Sequence, residues 1–226
     1  MPTLDLQRTK QTSEIYWIPI ALVLLGLLLG CERTESQATP ASSDTKPDDS
    51  GQLSKSRLGK YHPKLSDYEI FQMPMEELKP ASQVFEYDLN TPLFSDYSQK
   101  QRLIKLPPGT RINYKPSGPL DFPVGTIIAK TFYYDADLTD ASSPRQLVET
   151  RIMEHRPDGW VGIPYLWNSE QTDAELAIIG ATVDVSWVHS DGKPRSNSHL
   201  VPNLNDCKRC HTDTKMHPLG PKAGNL

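Results

Sequence analysis

Cysteine is scarce in this chain of 226 residues, and so is clustered positive charge. Three cysteines leave no framework of structural disulfides. The formal net charge is -4 at pH 7 and no basic block stands out, so nucleic acid is not expected as a partner. The sequence also has no internal repeat, no phosphate-binding loop, no Ser/His/Asp set and no paired-carboxylate signature. It therefore offers no basis for a hydrolase or a kinase.

Long apolar runs are limited to one segment near the amino terminus, 15–29, which carries no charge and follows Arg8 and Lys10. This length is typical of an export signal and short for a membrane span. The run ends at Leu28-Leu29-Gly30-Cys31, which resembles the cleavage box of a bacterial lipoprotein. We therefore predict a signal peptide over 1–30 and a lipid anchor at Cys31, with an uncleaved anchor helix as the alternative.

The segment 31–60 lacks aromatic residues from Glu32 onward and is dominated by Ser, Thr, Pro, Asp and Lys. Such a composition buries too little apolar surface to offset the entropy of ordering. It predicts a flexible tether between the membrane and a folded domain, although a processed spacer without a role would have the same composition.

The segment 61–226 carries a pattern of short strands. With 20 prolines and 13 glycines in the chain, a helical bundle is not expected. The clearest strand is 126–134, rich in β-branched and aromatic residues. Two hairpins are predicted: one joins 147–155 to 160–167 through Arg156-Pro157-Asp158-Gly159, and the other joins 182–189 to 196–201. The predicted fold is mainly β, an antiparallel sheet or a small barrel of about six or seven strands.

Shorter elements complete this prediction. One short helix is expected near 65–71, with Ser66 as its N-cap, and a strand at 84–87. The segment 90–97 has the composition of an aromatic-bearing loop, and 112–114 that of a further strand.

Cys207-Lys208-Arg209-Cys210-His211 is the motif on which the functional interpretation depends. Two cysteines separated by two residues and followed by histidine have the spacing for covalent haem c attachment. In that interpretation Cys207 and Cys210 form thioethers with the porphyrin, and His211 is the proximal iron ligand. A structural zinc site would need two more ligands at finger-like spacing, and a thioredoxin-type pair would need an alternating β/α pattern. An exported chain agrees with haem attachment, because bacteria attach haem c outside the cytoplasmic membrane.

The second axial position is open on sequence grounds. Met216 lies five residues beyond His211 and is the first candidate for the sixth ligand, although covering the haem edge would also explain it. Further candidates are His217, Met153, His155, His189 and His199. Apolar cover for a haem is available from Tyr133, Tyr134, Trp160, Trp167 and Trp187, for which ordinary sheet core is the alternative role.

The chain also resembles a bacterial family of exported diheme c-type cytochromes, otherwise labelled conserved hypothetical proteins. The resemblance rests on LSDYEIF, YDLNTPLFSDY, KLPPGT, GPLDFPVGTIIAKTFYY, LVETRIMEHRPDGWVGIPYLWN, TVDVSW, LVPNLNDCKRCH and PLGPKAGNL. It implies haem c binding and electron transfer. Typical members continue beyond PLGPK into a second haem motif. We therefore expect a monohaem variant or a truncated product.

A second resemblance is to cytochrome P-460, a β-rich exported protein whose haem motif is also near the carboxyl end. It rests on Phe122-Pro123-Val124-Gly125-Thr126, which is similar to a strand entry in that family. The resemblance implies a lysine cross-linked to the haem, placed by analogy at Lys130, and an open iron position.

Together these features predict a membrane-anchored lipoprotein of the bacterial periplasm or cell envelope. It would carry one haem c and exchange electrons with a partner oxidoreductase, as an electron carrier more than as an enzyme. The alternatives are a five-coordinate haem enzyme acting on a small nitrogen or oxygen species, similar to cytochrome P-460, and a structural envelope lipoprotein without redox function.

Overall fold

A computed structural model describes residues 60–211 and 216–226 of the chain. The predicted signal peptide, the lipidation site Cys31 and all of the predicted tether except Lys60 lie outside these residues. Within the described ranges, no helix is long and apolar enough to cross a membrane.

In the described residues, eight strands form two antiparallel sheets. The larger sheet has six strands in sequential order, β1 to β6, and the smaller is the hairpin β7–β8. The strands are β1(Val84–Glu86), β2(Gln99–Lys105), β3(Ile127–Asp135), β4(Arg145–Arg156), β5(Gly159–Trp167), β6(Ala174–Leu176), β7(Ala181–Val188) and β8(Pro194–Val201). The mainly β prediction is confirmed. In the part of the chain that the structure describes, the larger sheet is open, with β1 and β6 as its outer strands.

Within the described residues, the helices are short. Two 3₁₀ helices, Leu65–Tyr68 and Met75–Glu77, precede the sheet, and one α-helical turn, α1(Cys207–Cys210), follows β8. The prediction of Ser66 as an N-cap is wrong. The backbone N–H of Lys64 donates to Oδ2 of Asp67 at 3.2 Å, whereas the Ser66 hydroxyl donates to Oδ2 of Asp173 at 2.8 Å. Ser66 therefore ties this segment to the turn before β6.

Both predicted hairpins are present. The β4–β5 turn consists of Pro157 and Asp158, with Arg156 paired to Gly159. In β7, Val185 and Trp187 are buried while the intervening residue faces solvent, as expected from alternation. The predicted strand at 112–114 is reduced to one bridge, between Asn113 and Asp121. The three-residue strand β6 was not predicted, because three residues show no periodicity.

The larger sheet has two covered faces. The first face carries Leu103, Ala129, Ile152 and Ile163, aligned across β2 to β5, and packs against residues of the 60–82 segment such as Leu65. Ile152 and Ile163 are fully buried, and each such side chain contributes roughly 1.5–3 kcal/mol to stability.

The second face carries the alternate residues Ile104, Ile128, Met153 and Gly162, again aligned across β2 to β5. One end of this face packs against the β7–β8 hairpin, where Tyr134 contacts Trp187 with ring centroids 5.3 Å apart. The other end packs against loops and the chain around Cys207 and Met216. The second face therefore positions the start of the 207–211 motif.

Candidate functional site

The haem motif is held at the end of β8 by a tight turn. In this turn, Oδ1 of Asn203 accepts hydrogen bonds from the backbone N–H of Asn205 at 2.8 Å and of Asp206 at 3.0 Å. Asn and Asp favour such turns because their side chains bond to nearby backbone groups. The turn leads directly into α1, after which the N–H of His211 donates to the carbonyl oxygen of Cys207 at 3.2 Å.

Cys207 lies directly on the second face of the larger sheet, over Gly162 of β5. A Cβ atom placed on Gly162 would stand 2.7 Å from Cβ of Cys207 and 3.1 Å from both Sγ of Cys207 and Cε of Met216. Only glycine leaves room for this close approach. Burial raises the pKa of the Cys207 thiol above its ordinary value. The side chain of Cys210 lies outside the described part of the chain.

The His211 imidazole is oriented by the chain that follows it. Its Nδ1 donates a hydrogen bond to the carbonyl oxygen of His217 at 2.8 Å. A proton on Nδ1 leaves Nε2 with its lone pair, which is the form that ligates a metal. Metal-bound histidines usually donate a hydrogen bond from the N–H of their other ring nitrogen in this way, and the bond fixes the ring orientation. His211 is therefore held in a form suited to an iron ligand.

The chain beyond His211 is anchored to two loops of the domain. The backbone N–H of Leu120 donates to the carbonyl oxygen of Pro221 at 3.2 Å. Further on, the Thr91 hydroxyl donates to Oδ1 of Asn225 at 2.6 Å. These contacts fix the segment 216–226, which supplies the carbonyl that orients His211.

An apolar cluster surrounds the motif. It consists of buried residues from the sheet, a loop and the carboxyl-terminal segment, with Met153 and Cys207 packed against it as partly buried members. The buried members are Ile104, Phe122, Ile128, Trp160 and Met216. Of the five aromatic residues considered for haem cover, Trp160 is in this cluster. Trp167 and Tyr133 pack in or against the core of the first face, and Tyr134 and Trp187 pack beneath the hairpin.

A cavity of about 440 Å³ opens beside this cluster, lined among others by Phe122, His155, Trp160 and His217. His155 stacks on Trp160, with ring centroids 4.5 Å apart and an interplanar angle of 3°. Nδ1 of His155 donates to the carbonyl oxygen of Pro123 at 3.1 Å. His155 thus repeats the arrangement of His211, in which a backbone carbonyl holds the Nδ1 proton and leaves Nε2 as the basic nitrogen.

The remaining candidates for the sixth ligand lie in different surroundings. Both ring nitrogens of His199 are engaged, Nε2 with Glu149 at 2.7 Å and Nδ1 with the Tyr134 hydroxyl at 3.2 Å. His189 lies at the β7–β8 turn, with Nδ1 3.3 Å from Asp191. Met216 is 7% exposed and packs over Gly162. It stays a prediction from the sequence, and His155 and His217 are the two candidate histidines that line the cavity.

Three basic residues lie on the second face, of which the sequence analysis named Lys130 alone, by resemblance to cytochrome P-460. Arg102, Lys130 and Arg151 are aligned across β2, β3 and β4, one row further from the β4–β5 turn than Met153 and Gly162. The available signal was a basic residue within each of three strands. Their alignment depends on the strand register, which a single sequence does not specify.

Burial changes the acid–base properties of this row. It lowers the pKa of Lys130 to about 8, with the charges of Arg151 and Arg102 acting in the same direction. Burial would raise the pKa of Glu149, but hydrogen bonds from His199 and Arg151 outweigh it and hold the pKa below its ordinary value. Glu149 is therefore an ionised, buried carboxylate.

These residues fit a covalently attached haem. Gly162 admits Cys207 to the sheet, His211 is held with Nε2 as the basic nitrogen, and the neighbouring cluster and Trp160 offer an apolar surface. Comparison with protein-family models, with curated proteins and with solved structures finds no match for this chain.

Proposed function

We propose that this chain is an exported c-type cytochrome that carries one haem, attached through Cys207 and Cys210, with His211 as the proximal ligand. The observation that supports this most directly is the hydrogen bond from Nδ1 of His211 to the His217 carbonyl, at 2.8 Å. It gives the histidine of a haem-attachment motif the tautomer and the fixed orientation of an iron ligand.

Bound haem would supply a one-electron couple, and the protein's own residues would hold it and limit its access to water. Trp160 and Phe122, in edge-to-face contact at 5.7 Å, form an apolar wall beside the motif. Such a surface favours electron transfer because it keeps water away from the iron. The chain would exchange electrons with a partner oxidoreductase in the periplasm or cell envelope, while a lipid at Cys31 would tether it to the membrane.

Mass spectrometry of the denatured protein tests this proposal. The chain is expressed with its export signal in bacteria that carry the haem-maturation machinery. We expect the peptide containing 207–211 to carry the mass of one haem, and Cys207→Ser with Cys210→Ser to abolish the addition. Cys31→Ser is the matched control, since it removes lipid attachment and leaves haem attachment intact. An unmodified 207–211 peptide from a folded wild-type chain would overturn the proposal.

A second candidate function is a five-coordinate haem enzyme acting on a small nitrogen or oxygen species. It is supported by Lys130, which lies on the same sheet face as the contact between Gly162 and Cys207 and has a pKa lowered to about 8 by burial. A lysine with a lowered pKa holds more free amine at neutral pH, and that amine would bond to a porphyrin carbon while an oxidant such as peroxide takes up the two electrons released. A high-spin spectrum that shifts with added ligand, together with a haem-linked peptide containing Lys130, would favour this function over electron transfer.

A further inference from the structure

Three positive side chains face one another across neighbouring strands of the larger sheet. Lys130 of β3 is directly opposite Arg102 of β2 on one side and Arg151 of β4 on the other. Side chains in such positions have Cβ atoms roughly 4.5–5.5 Å apart, and like charges there are destabilising. The fold nevertheless brings Arg102, Lys130 and Arg151 together on the second face, and we call these three residues the basic row.

Among the described residues, the carboxylates of Glu149 and Asp88 balance part of this charge. Oε2 of Glu149 accepts a hydrogen bond from Nε of Arg151 at 2.8 Å, and the same carboxylate bonds to His199. Arg102 pairs with Asp88 at 3.2 Å, but the Asp88 side chain is 89% exposed, so solvent screens this pair strongly.

Lys130 is the least compensated member of the basic row. Within 60–211 and 216–226 it makes no ion pair with a carboxylate. Its Nζ instead lies 4.9 Å from the ring centroid of Phe132, over which Arg151 also lies at 4.5 Å. The ring attracts both cations without neutralising either. Within the described residues, the positive charge of Lys130 is therefore not paired with a carboxylate.

The basic row lies beside the haem motif. Arg151 is two residues before Met153 on β4, and Met153 is paired with Gly162, which contacts Cys207. The charges of Arg151 and Glu149 act on the Cys207 thiol, which shows that the two sites are close. A porphyrin attached at Cys207 carries two propionate groups that are ionised at neutral pH. Arginine and lysine are the side chains suited to bind such carboxylates.

We propose that Arg102, Lys130 and Arg151 form a carboxylate-binding row that takes the propionates of the haem attached at Cys207. This inference rests on the proposed function and adds to it a site outside the attachment motif. Binding of the propionates places anions beside Lys130, and this neutralises the repulsion that the sheet register creates. The basic row would thereby orient the porphyrin relative to the second face.

Nuclear magnetic resonance of lysine side chains tests the proposal in the haem-loaded and haem-free proteins. A carboxylate within about 4–6 Å raises the pKa of a lysine by about one to three units. We expect the pKa of Lys130 to rise by this amount when haem is attached. Exposed Lys193, in the β7–β8 turn, is the internal control and should titrate alike in both proteins.

A potentiometric titration adds a second measurement. Removing a positive charge next to the haem disfavours its reduced, less positive form, so Lys130→Met should lower the midpoint potential while Lys193→Met should not. If haem is attached and neither the Lys130 pKa nor the potential responds, the basic row does not bind propionates. That result would leave the proposed function standing.

Two further outcomes would also overturn the inference. A saturable shift of the Lys130 signal when succinate or phosphate is added to haem-loaded protein would show that the basic row binds a free anion instead. The absence of covalent haem from folded protein would overturn both the basic row's assignment and the proposed function. These results differ from unchanged Lys130 behaviour in haem-loaded protein, so the two failures are distinguishable.

Discussion

Nε2 of His199 lies 2.7 Å from Oε1 of Glu149, and both side chains are buried between the larger sheet and the β7–β8 hairpin. The hydroxyl of Tyr134 lies 3.2 Å from the other ring nitrogen of His199. The imidazole therefore donates to the carboxylate through Nε2, and its Nδ1 shares a hydrogen bond with the Tyr134 hydroxyl. This chain of hydrogen bonds links β3 and β4 to β8. It includes Glu149, the carboxylate that pairs with Arg151.

Glu149→Gln tests the contribution of this buried carboxylate to stability. The neutral amide removes the negative charge to which the Arg151 and His199 side chains both donate. We expect a loss of about 3 kcal/mol in the free energy of unfolding at pH 7, measured by urea denaturation. Glu175→Gln, at an exposed position of β6, is the control and should change the free energy by less than about 0.5 kcal/mol.

The stability of the wild type and that of Glu149→Gln should also depend differently on pH. The pKa of Glu149 is lower in the folded state, so its contribution is fully present above the unfolded value of about 4.3. The contribution is lost as the pH falls through the folded pKa. Between about pH 5 and pH 3 the wild type should therefore lose more stability than Glu149→Gln. Parallel stability curves for the two proteins would show that the carboxylate is not stabilised by folding.

Gly162→Val tests the close approach of the haem motif to the sheet. A Cβ at this position would meet Cys207 at 2.7 Å, so the motif must move away. Overpacking of this kind costs about 1–3 kcal/mol, measurable by thermal denaturation. We also expect a lower yield of covalent haem, measured by the haem absorbance per polypeptide after denaturation.

Gly224→Ala is the matched control, because a Cβ there meets nothing within 4 Å. It should leave both stability and haem yield close to those of the wild type. Full haem occupancy in Gly162→Val, with unchanged stability, would show that Cys207 does not need this position against β5.

Whether a feature could be predicted from the sequence depends on how far apart its interacting residues lie along the chain. Alternation predicted the β7–β8 hairpin, and Pro157-Asp158-Gly159 predicted the β4–β5 turn, since both signals are local. The basic row could not be predicted, because the register that places Arg102 opposite Lys130 is set by packing across strands.

The same distinction between local signals and long-range contacts applies to the candidate site. The motif itself was visible in the sequence, and haem binding remains a proposal. Gly162 was not recognised, because its role depends on a contact with Cys207, far along the chain. The Ser66 prediction failed for a similar reason. Its distant partner Asp173 takes the hydroxyl that a local N-cap would have used.

The phenols of Tyr68 and Tyr87 should determine how the stability of the fold responds to alkaline conditions. Burial raises the pKa of Tyr68 to about 12 and that of Tyr87 to about 12. Unfolded tyrosines ionise near pH 10, so these groups contribute stability that is fully present below pH 10 and lost as the pH rises towards 12. We expect phenolate absorbance to appear in two phases, with the later phase accompanying unfolding.

Tyr87→Phe isolates one of these groups. It keeps the ring in the apolar cluster and removes the ionisable hydroxyl. Between pH 10 and pH 12 it should lose roughly 2–3 kcal/mol less stability than the wild type, measured by urea denaturation. Equal losses in both proteins would indicate that Tyr87 ionises without penalty in the fold.

The hydrogen bond from His211 to the His217 carbonyl also bears on the sixth ligand. It places the backbone next to Met216 on the Nδ1 side of the imidazole, away from Nε2, the nitrogen proposed to bind iron. With His211 as the proximal ligand, Met216 would therefore be poorly placed to act as the sixth ligand. His155 has no such restriction, since its Nδ1 is held by Pro123 and its ring lines the cavity.

Two substitutions compare these candidates in haem-loaded protein. Met216→Leu conserves volume, so we expect a loss below about 1.5 kcal/mol in stability and an unchanged axial spectrum. His155→Leu should convert a low-spin spectrum to a high-spin one that binds carbon monoxide, because it frees an axial position. If instead Met216→Leu removes the sulfur-to-iron charge-transfer band and His155→Leu leaves the iron low-spin, Met216 is the ligand.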